Sequence, residues 1–204
     1  MKSRILIVAA TTLLTTNMAM AENKGGLFVE PMITYEKGEG DVKFPDPFGK
    51  ADTDLNGFGI GARVGFHVME SIFIGADGRY SMPTFKANRL DQDVDAKAWN
   101  YGPVVGFQTP TDLGIRVWGG YILDGQVDPD KDAGVDQKFR SGSGYRVGAG
   151  VKLGIVSVNL EYQDIKYDKT DVSEVGIFTP GYSSNRIKFD NSSWVLSASF
   201  PISL

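Results

Sequence analysis

The stretch that decides the fold is residues 57–68, Gly-Phe-Gly-Ile-Gly-Ala-Arg-Val-Gly-Phe-His-Val. Every second residue from Phe58 to Val68 is apolar, and the residues between them are glycines, Arg63 and His67. Strict alternation of this kind is typical of a β-strand whose two faces meet different surroundings. The stretch therefore predicts a strand with a smooth apolar face and a face of small and charged side chains.

The same alternation recurs in seven other segments of the chain. They are residues 27–35, 72–81, 99–108, 114–123, 145–153, 156–163 and 194–204. The connections after the second, fourth and sixth strands are short, whereas those after the first, third, fifth and seventh are long. The long connections are roughly residues 36–56, 82–97, 124–143 and 164–192. This pattern predicts an all-β fold, an eight-stranded antiparallel up-and-down transmembrane β-barrel with four long extracellular loops and three short periplasmic turns.

The apolar face is expected to point outward, toward lipid. The alternative is a soluble barrel, which would turn the same face inward. Aromatic residues favour the membrane, because every strand contributes one at the long-loop end of its apolar face, where Tyr and Trp rings suit the membrane interface. These interface aromatics are Tyr35, Phe58, Tyr80, Trp99, Tyr101, Tyr121, Tyr145, Tyr162 and Trp194.

Charged residues occupy the other face, which would line a lumen just wide enough for side chains to fill. They are Glu30, Arg63, Asp77, Arg79, Arg116, Arg146, Lys152 and Glu161. A turn centred on Glu70 would place Arg63 directly opposite Asp77. Similar reasoning places Glu161 opposite Gly148 and diagonal to Arg146, Glu30 within reach of Arg63 or His67, and Trp118 near Gly102. Paired charges predict a plugged lumen, with a gate or narrow ion path as the alternative.

Three prolines fall inside the predicted strands, where proline removes a ladder donor. Pro31 and Pro103 are expected to mark bulges. Pro201 is expected near the periplasmic rim.

The amino terminus has the three parts of a secretory signal peptide. A cationic start with Lys2 and Arg4 precedes an apolar run from Ile5 to Leu14, and Ala19-Met20-Ala21 forms a cleavage site. We expect residues 1–21 to be the signal peptide and residues 22–204 to be the barrel domain. The apolar run is shorter than the ~20 residues that a spanning helix needs.

Composition excludes several classes of function. The 204 residues include no cysteine and one histidine, so neither a thiol nucleophile nor a multi-histidine metal site is available. A net charge of −4 argues against a nucleic-acid partner. Residues 52–57 resemble the start of a calcium loop, but Arg63 stands where the bidentate glutamate belongs. We expect no metal and no cofactor, although weak divalent binding by acidic loops stays open.

The whole of residues 22–204 resembles the OmpA/OmpX-like small outer-membrane β-barrels. The resemblance includes a final strand, Trp194–Leu204, whose Phe200, Ile202 and Leu204 look like a C-terminal insertion signal, although such signals usually end in Phe. It implies a location in the outer membrane, with outer-membrane lipid and lipopolysaccharide as surroundings and the barrel-assembly machinery as a partner during insertion. It also implies a monomer that is not an enzyme.

The resemblance implies a structural role or a surface-interaction role, through loops that contact an extracellular ligand or a host surface. A small passive channel for ions or small solutes is the main alternative. A lipid A-modifying barrel enzyme is less favoured, because His67 lies at the short-turn end and has no adjacent inward serine. A soluble lipocalin-like binder is the remaining alternative.

Overall fold

The structure is a computed structural model that describes residues 26–88, 93–111, 113–131, 135–175 and 182–204. The predicted signal peptide lies outside these residues. Within the described ranges, no helix has the length and apolar character needed to cross a membrane.

Eleven antiparallel strands form a single sheet, which confirms the all-β prediction. Their bounds are β1 Leu27–Lys43, β2 Lys50–Met69, β3 Ile72–Ala87, β4 Val94–Gln108, β5 Leu113–Ile122, β6 Asp124–Pro129, β7 Val135–Leu153, β8 Val156–Val175, β9 Tyr182–Ser184, β10 Lys188–Ser199 and β11 Ile202–Ser203.

The sheet closes into a ring of eight positions. Strands β1 to β4 pair in chain order, β7 pairs with β8, β8 with β10, and β10 returns to β1. Strands β5 and β6 share one position between β4 and β7, and β11 continues the position of β10 beside β1. Short β9 pairs only with β8 among the described strands. The predicted eight-stranded barrel is confirmed.

The strands run much further than the sequence indicated. Strand β1 continues to Lys43 and β2 begins at Lys50, so most of the long connection predicted over residues 36–56 is strand. Likewise β8 has 20 residues and ends at Val175. A membrane-spanning strand needs only about 9–11 residues. The four predicted long loops are therefore in large part an upper barrel that rises beyond the aromatic residues.

The side-chain pattern inverts between the two halves of the barrel. In the lower half Ile60 faces outward with 62% of its surface exposed, while Arg63 faces inward with 2% exposed. In the upper half of the same strand, Leu55 is the inward residue and is 2% exposed, whereas Asp52 faces outward. The prediction of an outward apolar face is confirmed for the lower half, and the upper half has the opposite pattern.

The inward apolar residues of the upper half form one cluster, here called the upper cluster. It consists of Val42, Leu55, Phe85, Ala96, Ala98, Ile122, Val127, Phe139, Ile165, Tyr167 and Phe189. Phe139 lies at its centre, with its ring 4.8 Å from that of Phe189 and 6.2 Å from that of Phe85. The upper cluster fills the lumen above the charged residues.

The prediction that Trp118 lies near Gly102 is wrong. Trp118 pairs with Gly106 on β4 and with Gly148 on β7. The error comes from the turn between β4 and β5, which is centred further along the chain than the sequence suggested. The indole needs the space of both glycines, because a Cβ atom on Gly148 would lie 2.4 Å from the Trp118 ring.

The three prolines have different outcomes. Pro103 lies where the register of β4 shifts by one residue between its β5 and β6 partners, with Leu123 as the extra residue, so the predicted irregularity is present. Pro31 stays in register with Ala62, so the bulge predicted there is wrong. It instead faces the break between β10 and β11 that contains Pro201.

Replacing Phe139 tests whether the upper cluster stabilises the barrel. We expect Phe139→Ala to lower the free energy of unfolding by about 3–5 kcal/mol, because it leaves a cavity among packed aromatic rings. Guanidinium unfolding of the folded protein in detergent micelles measures this change. Phe48→Ala, at a residue that is 66% exposed, is the matched control. Equal stability of the two variants would contradict a packed upper cluster.

Candidate functional site

The predicted lumen charges meet at the centre of the lower barrel. Seven of the eight form one network of ion pairs, here called the lumen network: Glu30, Arg63, Asp77, Arg79, Arg116, Arg146 and Glu161. The eighth, Lys152, is half-buried near the short-turn end and forms no ion pair with a described carboxylate. Strands from all sides of the ring contribute, so the network spans the lumen.

Asp77 is the centre of the lumen network. Its carboxylate accepts hydrogen bonds from Arg63 Nη2 and Arg146 Nη1, both at 2.8 Å, and from Arg79 Nε at 3.2 Å. Arg63 lies directly opposite Asp77 across β2 and β3, which confirms the predicted register. Since Asp77 is 1% exposed, these guanidinium groups replace the water that the carboxylate loses on burial.

Glu30 binds an arginine from the far side of the lumen. Arg116 donates to both of its carboxylate oxygens, at 2.6 and 2.7 Å, in the bidentate geometry that arginine favours. Ser199 Oγ donates a third bond at 2.6 Å. Arg63, the partner predicted from hairpin pairing, lies opposite Glu30 but only 3.9 Å away. Hairpin geometry identifies neighbours along the wall, whereas ring closure adds neighbours across the lumen.

Glu161 shows the same effect of ring closure. It lies opposite Gly148, as predicted, but its partner is Arg79 rather than Arg146. Arg79 Nη1 approaches Glu161 Oε1 at 2.6 Å, and the Trp118 indole nitrogen donates to Oε2 at 2.7 Å. The indole that fills the lumen therefore also satisfies a buried carboxylate.

Aromatic rings complete the lower lumen. Phe28, Phe73, Val104 and Trp118 form a buried cluster. The Arg63 guanidinium lies 4.8 Å from the Trp118 ring centroid, a cation–π distance. His67 lies 4.9 Å from the ring of Phe28. The only histidine thus packs inside the barrel.

One buried acid was missed by the sequence analysis. Glu36 is 8% exposed and accepts hydrogen bonds from Ser193 at 2.6 Å, Gln163 at 2.9 Å and Asn191 at 3.4 Å. The predicted first strand ended at Tyr35, one residue short. Glu36 shares the parity of Glu30, and that signal places it inward once the strand is extended.

The predicted interface aromatics all lie on the outer wall, exposed or half-exposed. Several pack in pairs: Tyr35 with Phe58 at 4.9 Å, Tyr162 with Trp194 at 5.3 Å, and Trp99 stacked on Tyr101 at 6.0 Å. They lie where the outer wall changes from apolar to charged. Their role as a membrane girdle stays a prediction.

The predicted insertion signal lies at the lower rim. Ile202 belongs to β11 and pairs with Val29, and the Leu204 amide donates to the Leu27 carbonyl at 2.8 Å. Leu204 is exposed on the outer wall. Its recognition during insertion stays a prediction.

No described residues form a group of three His, Asp or Glu side chains placed to hold a metal ion. Residues 52–57, the start of the broken calcium motif, lie within β2 rather than in a loop. The lumen network is built from guanidinium and carboxylate groups that neutralise one another. Its chemistry is that of a rigid, polar filling.

A closed barrel with a polar lumen and an outer apolar band defines the class of outer-membrane β-barrels. Comparison with known proteins assigns the family. The sequence pattern of the outer membrane protein beta-barrel domain family matches residues 6–200, so the chain belongs to this family. The resemblance to small outer-membrane barrels is thereby confirmed, and the family supports the outer membrane as the location. No curated protein sequence matches the chain.

Solved structures show the same fold at low sequence identity. The outer membrane protein OprG from Pseudomonas aeruginosa is 13% identical, with a TM-score of 0.53 over 89% of this chain and 98% of OprG. Neisserial surface protein A is 13% identical, with a TM-score of 0.42 over 85% of this chain and 97% of its own. Ail of Yersinia pestis is 15% identical, with a TM-score of 0.43 over 85% and 99%.

Removing the central carboxylate should destabilise the barrel more than removing one of its arginines. Asp77→Ala leaves three guanidinium groups without their shared partner, so we expect a loss of about 3–5 kcal/mol in the free energy of unfolding. Arg63→Ala leaves Asp77 with two arginines and should cost less, while still lowering the unfolding midpoint.

The control is Asp171→Ala, which breaks an exposed pair with Arg140 and should cost at most about 1 kcal/mol. Unfolding midpoints in denaturant give all three values. If Asp77→Ala and Arg63→Ala unfold like the wild type, the lumen network does not hold the barrel together.

Proposed function

We propose that this chain is an integral outer-membrane protein whose role is structural or surface-interactive, and whose lumen is sealed. The outer wall and the connections of the upper barrel would be the working surface. In this reading the lumen network is a plug, and the protein has no catalytic role.

One observation carries the proposal: the lumen is filled at two levels by different chemistry. The lumen network fills the lower half, and the upper cluster, with Phe85, Phe139 and Phe189 at most 1% exposed, fills the upper half. An ion crossing the barrel would meet buried guanidinium groups and then a packed apolar layer, which it enters only at a high cost in hydration energy.

The outer wall of the upper barrel supports the surface role. Outward residues alternate in sign by rows across β2, β1 and β10. Asp52, Asp41 and Asp190 form one row, and Lys50, Lys43 and Lys188 form the next row up. Lys43 binds Asp190 and links the two rows. Such a wall is suited to water and to charged partners at the cell surface.

A small passive channel is the second candidate. The favouring observation is that the lumen at membrane level is lined by charge, as in channels, and holds four arginines against the three acids of the network. Ions would then pass only if both fillings moved.

The remaining alternatives have less support. A lipid A-modifying enzyme would need a reactive group facing lipid at the upper end, whereas His67 packs against Phe28 and Phe73 near the lower end. A soluble binder would bury its apolar band, whereas Val105, Val117 and Leu160 are about half exposed on the outer wall. We further propose that the protein acts as a monomer and is inserted by the barrel-assembly machinery.

Conductance in planar bilayers separates the plug from the channel. We expect the folded wild type to give no steps of current. Arg146→Ala alone should also stay silent, because the upper cluster still seals the lumen. Steps should appear only when Arg146→Ala is combined with Phe139→Ala. Steps in the wild type that change with Arg63→Ala or Arg146→Ala would establish the channel instead.

A further inference from the structure

A cleft with a volume of about 280 Å³ opens in the outer wall of the upper barrel. Trp99 and Asp124 line one side, and Arg140, Ser141, Lys169 and Asp171 line the other. None of these residues belongs to the lumen network or to the upper cluster. The proposed seal therefore leaves the cleft unexplained.

The cleft lies where the ladder between neighbouring strands is open. Strand β5 pairs with β7 as far as Ile122 and Gly144, and β6 pairs with β7 only at Val127 and Phe139. The residues between these pairs form no ladder. Ser141 lies in this gap with φ of 56°, the only described non-glycine residue in the left-handed region. A β-barrel wall does not need such an unfavourable backbone, which often marks a functional site.

Two cations face each other in the cleft. Arg140 lies directly opposite Lys169 across β7 and β8, an arrangement of like charges that destabilises a sheet. Arg140 Nη1 donates to Asp171 at 2.8 Å, and this bond holds the pKa of Asp171 below its ordinary value. Lys169 forms no ion pair with any described residue. An anion bound between the two cations would remove their repulsion.

The remaining lining suits a sugar. The Trp99 ring, stacked on Tyr101, offers a flat apolar face. Asp124 across from it offers carboxylate oxygens, which accept hydrogen bonds from hydroxyl groups. Its Oδ1 already accepts from the Gly125 amide at 2.9 Å, which fixes the side chain.

The height of the cleft identifies where the ligand comes from. Tyr121 and Tyr145 pair directly below it on the outer wall. Ser141 is four residues above Tyr145, a rise of roughly 13 Å along the strand. Tyr and Trp rings prefer the level where hydrocarbon meets headgroups, so the cleft opens at the level of the outer-leaflet headgroups.

We propose that the cleft binds the phosphorylated sugar headgroup of an outer-leaflet glycolipid. The phosphate lies between Lys169 and Arg140, and a sugar ring packs on Trp99. This inference rests on the proposed membrane placement of the chain but not on the sealed lumen.

Lipid binding to the folded full-length protein tests the proposal. Native mass spectrometry in detergent micelles measures the affinity for diphosphoryl lipid A in the wild type, Lys169→Gln and Lys169→Arg. We expect Lys169→Gln to bind about tenfold more weakly, the value of one charge-assisted hydrogen bond. Lys169→Arg should keep most of the affinity. Lys188→Gln is the matched control, because Lys188 pairs with Asp168 outside the cleft and should leave binding unchanged.

Two further probes separate the sources of phosphate. Dephosphorylated lipid A should bind as weakly to the wild type as diphosphoryl lipid A binds to Lys169→Gln, and inorganic phosphate at equal concentration should not displace diphosphoryl lipid A. Displacement by inorganic phosphate, or equal binding by Lys169→Gln and the wild type, would overturn the proposal. Because the cleft and the lumen share no residue, this outcome would leave the bilayer conductance result unchanged.

Discussion

Each strand of this barrel meets apolar surroundings on one side and water on the other at two heights, and the sides exchange between them. In the lower half lipid is outside, so Ile60 and Leu160 face outward and the charges of Arg63 and Glu161 face inward. In the upper half water is outside, so Asp52 and Lys188 face outward and Leu55 and Phe189 face inward. The rows of interface aromatics lie where the exchange occurs. The charged lumen, the upper cluster and the surface cleft all follow from this inversion.

Burying four arginines and three acids in a narrow lumen is costly unless each ion finds partners. The lumen network meets this condition through shared acceptors: Asp77 serves three guanidinium groups and Glu30 receives a bidentate pair. Arginine suits the task because its planar fork bonds in two directions and its faces stack on rings such as Trp118. A filling of this kind restricts which strands can be neighbours, because each acid needs arginines from different strands. The network thus favours one closed ring over alternative registers.

Local periodicity was enough to predict the strand count, the direction of the lower faces and the pairing of Arg63 with Asp77. It was not enough for partners across the lumen, such as Glu30 with Arg116, because these depend on ring closure and not on a hairpin. The upper barrel was read as loops because its outward residues are charged, so the alternation continued with the faces exchanged. Residues such as Val42 and Phe85 carried that signal. The open ladder near Ser141 had no signature in the sequence, since it depends on how β6 and β7 separate.

The absence of cysteine from the chain allows a direct test of the inversion. Single variants Ile60→Cys, Leu160→Cys, Asp52→Cys and Lys188→Cys carry spin labels in the protein reconstituted into bilayers. Relaxation by oxygen, which concentrates in lipid, is compared with relaxation by a water-soluble nickel complex. The account predicts lipid accessibility for the labels at 60 and 160 and water accessibility for those at 52 and 188. Water accessibility at 60 and 160 would contradict it.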